Sequence, residues 1–253
     1  KGFDTDIHYN GNLITSDNKI DIFIGNHFNF IDFLINIFIF KKLNNKEITF
    51  LYSKYVDNLP VIGRSFKESN SLSLNKKIHL DIENIRNFIK KNNNIIIYLN
   101  PAGTRINNKK LKKAQEYCKQ NNLSIYNNLL YPKMKGLYTI INELYKQNKL
   151  GNIIDFTVKI ENTTINDLTL KNYLTKNLGK TYVNINTYKI EHFNNYEKFK
   201  KWFNLIWKRK EDYLNNYNNY EYLKLDTKLK TSIKIITILN LIIFIRIIYI
   251  LYF

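Results

Sequence analysis

One cysteine, three prolines and two alanines are all that this 253-residue chain holds of those types, and each shortage excludes something. With Cys118 alone there is no internal disulfide, no Cys-based zinc cluster and no secreted cystine-knit scaffold, so reducing surroundings are the simpler expectation. The four histidines, His8, His27, His79 and His192, show neither HxxxH nor HExxH spacing, and no metal site is expected. Acidic residues are scarce beside basic ones, 21 against 39, for a formal charge of +18. Such a balance points to nucleic acid or an anionic membrane surface. The companions of nucleic-acid binding are missing, however: there is no RNP-type aromatic signature, zinc finger or helix-turn-helix, and no nucleic-acid partner is expected. Alanine is confined to Ala102 and Ala114 while Lys, Asn, Ile, Tyr and Phe abound. That is the bias of an AT-rich coding sequence, and it accounts for part of the lysine excess.

What is present suits a globular protein: 44% hydrophobic residues, in a length that fits one sizeable domain or at most two small ones. Residue 1 is Lys, with no charged-then-apolar leader after it, which leads us to expect a processed chain or a fragment. At the other end the 22 residues 232–253, "SIKIITILNLIIFIRIIYILYF", are interrupted only by Lys234, Asn240 and Arg246. The run matches the length of a transmembrane or membrane-embedded helix. A guanidinium at mid-depth costs roughly 2.5–3.5 kcal/mol, which the flanking Ile, Leu and Phe offset. A buried core helix is the competing reading. Lys224, Lys228, Lys230 and Lys234 just before the run would put the preceding domain on the cytosolic side.

Between the ends, strand-like and helix-like stretches alternate. "KIDIFIGNH" packs β-branched and aromatic residues into a short run that stops at Gly25-Asn26, which predicts a strand. "FIDFLINIFIFKKL" predicts a helix apolar almost all round, ending at Lys41-Lys42. "EITFLYSK" predicts a second strand, "LPVIGRSF" a turn around Pro60 and Gly63, and "HLDIENIRNFIKKNNN" a half-apolar helix. "NIIIYLNPAGTR" is a strand closing on Pro101 and Gly103, "KLKKAQEYCKQNN" a basic helix, and "IIDFTVKI" another strand. Strands followed by helices predict an α/β fold, with an active edge where loops gather at strand ends. No internal repeat is present, and Asn-rich patches such as "NNYNNY" read as surface.

Within "IDIFIGNHFNFIDFL" a histidine and an aspartate stand five positions apart in an apolar stretch. On one continuous helix that separation is roughly 500°, leaving the side chains about 140° apart. They meet only if His27 precedes the helix and Asp32 reaches back from its first turn. A carboxylate there fixes the imidazole tautomer and frees the other nitrogen to take a proton from a hydroxyl. Taken alone, so short a pattern is more often a buried histidine capped for structural reasons.

It does not stand alone. "NHFNFID", "LPVIGRSF", "NPAGTR" and "LLYPKMKG" follow in this order, and together they resemble the four blocks of the glycerolipid acyltransferase family, the lysophosphatidic acid acyltransferases and their relatives. "IIDFTVKI", "TYVNINTYKI" and "FKKWFNLIWKRKEDYLNNY" resemble the C-terminal module of the eukaryotic branch that includes lysocardiolipin and other lysophospholipid acyltransferases, so that the likeness spans roughly residues 10–217. The resemblance implies a mixed central sheet flanked by helices, in an acyltransferase domain over residues 1–231. Its four-block core would lie at about 20–140 and its C-terminal module at about 150–222, followed by the membrane helix at 232–253.

It further implies acyl transfer from acyl-CoA, as co-substrate and without a cofactor, to the free hydroxyl of a lysophospholipid. His27 would be the general base and Asp32 its orienting carboxylate. Transfer would be direct, since Cys118 lies in a lysine-rich stretch apart from the blocks. The acceptor phosphate would meet Arg105 first, with Gly103 and Thr104 letting the backbone approach, and Lys54 and Lys76 second. Pro132 would shape a loop, and Trp202 and Trp207 would pack on an amphipathic helix. Membrane lipids, acyl-CoA and the lysophospholipid are the implied partners, at the cytosolic side of the endoplasmic reticulum or another intracellular membrane. One departure stands out: the third block usually carries Phe before its proline and Glu after it, where this chain has Asn100 and Ala102. The alternative is therefore a relative that binds lipid or acyl-CoA without turnover.

Overall fold

Strand β2, Ile20–Gly25, is buried at every position because both faces of the sheet are covered there. The computed structural model describes residues 6–28, 31–58, 62–75, 77–165, 167, 172 and 179–225. Around β2 are β1 (Ile7–Gly11), β3 (Glu47–Ser53), β4 (Leu72–Leu74), β5 (Ile95–Leu99), β6 (Leu150–Ile160), β7 (Thr181–Lys189) and the two-residue β8 (Leu223–Lys224). They form one sheet in the order β4-β3-β5-β2-β6-β7-β1-β8. From β4 to β6 all neighbours run parallel; β7 turns antiparallel to β6, and β1 lies parallel to β7. The expected mixed sheet flanked by helices is thus present, and strands from the four-block stretch and from the C-terminal stretch share it.

Helix α1 (Ile31–Leu43) covers one face, burying Ile35, Ile39 and Phe40 against Phe23, Ile96, Ile154 and Phe156. The other face carries α3 (Ile78–Lys91), α5 (Met134–Lys146) and the long helix we label α6 (Tyr196–Asn216), whose buried side chains join Ile22, Ile24, Ile97 and Ile153. Helix α4 (Asn108–Gln120) lies against the same cluster through Leu111 and Ala114, and its first turn is capped by the Asn107 side chain, which accepts from Lys110 N. The expected packing role of Trp207 holds: it is fully buried, and its Nε1 donates to Leu130 O at 3.0 Å.

The connection leaving β2 runs through α1 on one face before entering β3, and that leaving β5 runs through α4 and α5 on the other before entering β6. The first and third sequence blocks begin at the C-terminal ends of these two adjacent parallel strands, the edge at which α/β sheets bind ligands.

One sequence expectation changes here. "LPVIGRSF", read as a turn, contains the start of helix α2 (Ile62–Glu68), with residues 59–61 outside the described residues. Gly63 is what the helix needs, because a Cβ there would sit 2.5 Å from Val56 O and 2.7 Å from Asp57 O. The run 232–253 lies outside the described residues; among those described, no helix is long and apolar enough to cross a membrane.

Candidate active site

His27 sits in the loop just past β2, and α1 begins four residues later at Ile31, so Asp32 occupies its first turn. The break between strand and helix brings the two side chains to one place: His27 Nδ1 stands 3.6 Å from Asp32 Oδ2. The same oxygen accepts the backbone N–H of Phe28, closing the 28–32 turn under the imidazole. Asp32 is fully buried, whereas the His27 side chain keeps 20% of its surface open. Nδ1 itself is enclosed and has no hydrogen-bond partner among the described residues. A separation of 3.6 Å is longer than a formed hydrogen bond but within range of a charge contact.

Three further connections hold this loop. The Asn26 side chain, fully buried, acts as a piece of strand: its Nδ2 donates to Val158 O at 2.9 Å and its Oδ1 accepts Val158 N at 2.8 Å. Ile106 N donates to His27 O at 3.0 Å, which ties the end of the third block to the histidine backbone. On the α1 face, Asn36 Nδ2 donates to Tyr98 OH at 3.1 Å, directly beside Gly25, where a Cβ would meet that Asn36 nitrogen at 3.1 Å. Burial pushes the Tyr98 hydroxyl far above its usual range, and the nearby Asp32 charge adds to this, so the phenol stays neutral.

The third block forms a tight turn, Gly103 N donating to Asn100 O at 2.9 Å. Gly103 adopts φ +68, which favours glycine, and the Lys133 side chain lies across it, 3.3 Å from where a Cβ would be. Thr104 Oγ1 accepts from Lys110 Nζ at 2.6 Å, and the same ammonium caps Arg105 O at 3.1 Å. Arg105 is exposed at the end of this turn. Ala102 faces inward, 6% exposed, in the apolar cluster with Ile106 and Leu130.

The loop of His27 and Asp32 and the turn of Gly103, Thr104 and Arg105 follow the adjacent strands β2 and β5 and are joined by the Ile106 N–His27 O hydrogen bond. Lys54 is exposed in the short 3-10 helix that follows β3, the strand next to β5. Lys76 lies outside the described residues. Among the described residues no three His, Cys, Asp or Glu side chains converge as a metal site.

Several residues at the site went unread in the sequence. Lys133 stands within the fourth block, and its place across Gly103 follows from Lys133 N donating to Pro101 O at 2.7 Å. Beside the loop, Asp155 of β6 and Lys210 of α6 are each 1% exposed and form a buried ion pair. Burial pushes the Asp155 carboxyl up and the Lys210 ammonium down, and the attraction between them opposes both shifts. A signal for Lys210 was present: Phe203, Trp207, Lys210 and Leu214 are spaced as one helical face.

A family model described as Acyltransferase matches residues 7–158, more than half of the chain and the whole stretch from β1 to the end of the Asn26–Val158 clamp. No curated protein matches the chain.

Proposed function

Because the chain belongs to the acyltransferase family, we propose that it transfers a fatty acyl group from acyl-CoA to the free hydroxyl of a lysophospholipid, lysophosphatidic acid or a related lysoglycerophospholipid. The observation that carries this reading is the His27–Asp32 pair at the strand-to-helix break, one side chain partly open at the surface and the other fully buried beside it. In the reaction, His27 Nε2 takes the hydroxyl proton while Nδ1 faces Asp32. The acceptor oxygen attacks the thioester carbonyl, the new C–O bond forms and the C–S bond breaks. The proton held on Nε2 then passes to the departing CoA sulfur. A positioned base of this kind is worth about 10²–10⁴-fold in rate.

Arg105 is the cation placed to meet the acceptor's phosphate, by a paired guanidinium contact that no lysine reproduces. Gly103 and Thr104 shape the turn that presents it, and Lys54 and Lys76 are assigned secondary contacts. The membrane setting rests on the apolar run at 232–253 and on the lipid nature of the substrates.

The inward position of Ala102 bears on the alternative of a relative that binds without turnover. Ala102 is buried among apolar side chains and makes no part of the His27–Asp32 pair, so an alanine there leaves the base itself in place. We therefore read the chain as active. The test is transfer of radiolabel from acyl-CoA to a panel of lysophospholipids by wild type and His27→Ala. Product that falls at least about 100-fold in the variant supports the reading. Binding of acyl-CoA without product from wild type, on any acceptor, favours the alternative.

A further inference from the structure

Lys210 lies 52 residues beyond the end of the matched stretch, yet its ammonium reaches into the part of the sheet that carries the candidate base. Its Nζ donates to Phe156 O at 2.8 Å and to Thr157 Oγ1 at 3.2 Å, and pairs with the Asp155 carboxylate. Two hydrogen bonds and one ion-pair contact thus tie the ammonium to three consecutive residues of β6. The level is telling. Gly25, the last residue of β2, is paired with Phe156, and Val158 is the residue that exchanges two hydrogen bonds with the Asn26 side chain. His27 follows Asn26 directly.

Helix α6 does not need this pair to attach itself. Phe199, Phe203, Ile206 and Trp207 are all buried against the same face, and a buried ion pair is seldom better for attachment than apolar residues of similar volume. What the pair adds is a fixed position for one short piece of β6 relative to α6, at the point where the loop departs. We propose that Lys210 is a positioning residue: by gripping Asp155, Phe156 and Thr157 it fixes Val158, and through the Asn26 clamp it holds His27 in register with Asp32.

The proposal rests on the reading of His27 as the base, and its test separates the two. Lys46 supplies the control, since it forms an equally buried pair with Asp21 at the opposite end of the sheet, 2.7 Å apart. Lys210→Met, Lys46→Met and the paired variant Asp155→Leu/Lys210→Met are made in the full chain. The paired variant leaves no stranded charge and keeps the experiment readable if Lys210→Met fails to fold. Two quantities are measured per folded molecule: kcat and KM for acyl transfer, and the ¹⁵N resonances of the His27 ring.

The expected result is a kcat at least about 10-fold lower in the Lys210 variants, with KM for acyl-CoA unchanged, because small misplacements of a reacting group carry losses of up to about 100-fold. The His27 ring signals shift in those variants and stay in place in Lys46→Met. Wild-type kcat and unshifted His27 signals in the paired variant overturn the proposal. Should wild type transfer no acyl group at all, the functional reading fails, and the ring signals alone still decide the placement of His27.

Discussion

Two buried lysine–aspartate pairs pin the two ends of one sheet, and only one of them stands beside the candidate site. At the N-terminal end, Asp21 of β2 accepts from Lys46, from Ser16 N and from Asn152 N, while Lys46 also donates to Ser16 O and Lys19 O. Apart from Asn152, which already lies in β6, these partners belong to the connections entering β2 and β3. At the C-terminal end, the Asp155–Lys210 pair grips the segment beside the loop of His27. The two pairs share chemistry and burial, so the difference lies in what each immobilises: incoming chain in one case, a departing loop with a titratable side chain in the other. In a parallel sheet the two ends are not equivalent, and the same ion pair is structural at one and tied to function at the other.

The largest effects expected from breaking this comparison are on stability. Lys46→Met and Lys210→Met each strand a buried carboxylate and should each cost about 3–5 kcal/mol in a denaturant titration. Equal stability losses with unequal turnover per folded molecule sharpen the contrast; equal losses of both erase it. Gly151→Ala acts on the far pair without touching a charge. A Cβ there overlaps the Asp21 carboxylate and lies 2.9 Å from Ile20 O, so we expect about 1–3 kcal/mol of destabilisation and unchanged specific activity.

The smallest effect concerns the exposed side of α3 and α5, away from either pair. Burial acts to raise the Glu143 carboxyl, but hydrogen bonds from Arg86 and Lys146 outweigh it and leave the carboxyl below its usual 4.5. A depressed carboxylate adds stability above its unfolded value and loses it as pH falls through its folded one. Glu143→Gln should therefore cost about 1 kcal/mol or less at neutral pH, the two cations being largely solvated, and the difference should shrink below pH 4.5 when melting temperatures are compared.

Much of the core was legible in the sequence because its signals are local. Strands β2, β3, β5 and β6 announce themselves by β-branched and aromatic runs, and Gly25-Asn26 marks where the first of these stops. The angular argument about His27 and Asp32 required a helix beginning after His27, and α1 begins at Ile31. The helical start at Ile62 escaped because Gly63 reads as a turn signal, while its actual task is a close approach to the backbone of Val56 and Asp57. The supports of the site escaped for another reason. Asn26 matters through Val158, 132 residues away, and Lys210 looks solvated within "WKRKED" until its place on the buried face of α6 is traced. Such roles depend on which strands become neighbours, and no window of local sequence carries that.

The claim on which the functional reading depends is that Asp32 aims the His27 imidazole, and Asp32→Asn tests it with the least disturbance. The amide keeps an oxygen for the Phe28 N–H, removes the charge and turns the other oxygen into an NH2 donor. Measured as kcat for acyl transfer from acyl-CoA to a lysophospholipid, the variant should lose about 10²-fold or more while its KM and melting behaviour stay near wild type. Turnover at the wild-type rate would contradict the account.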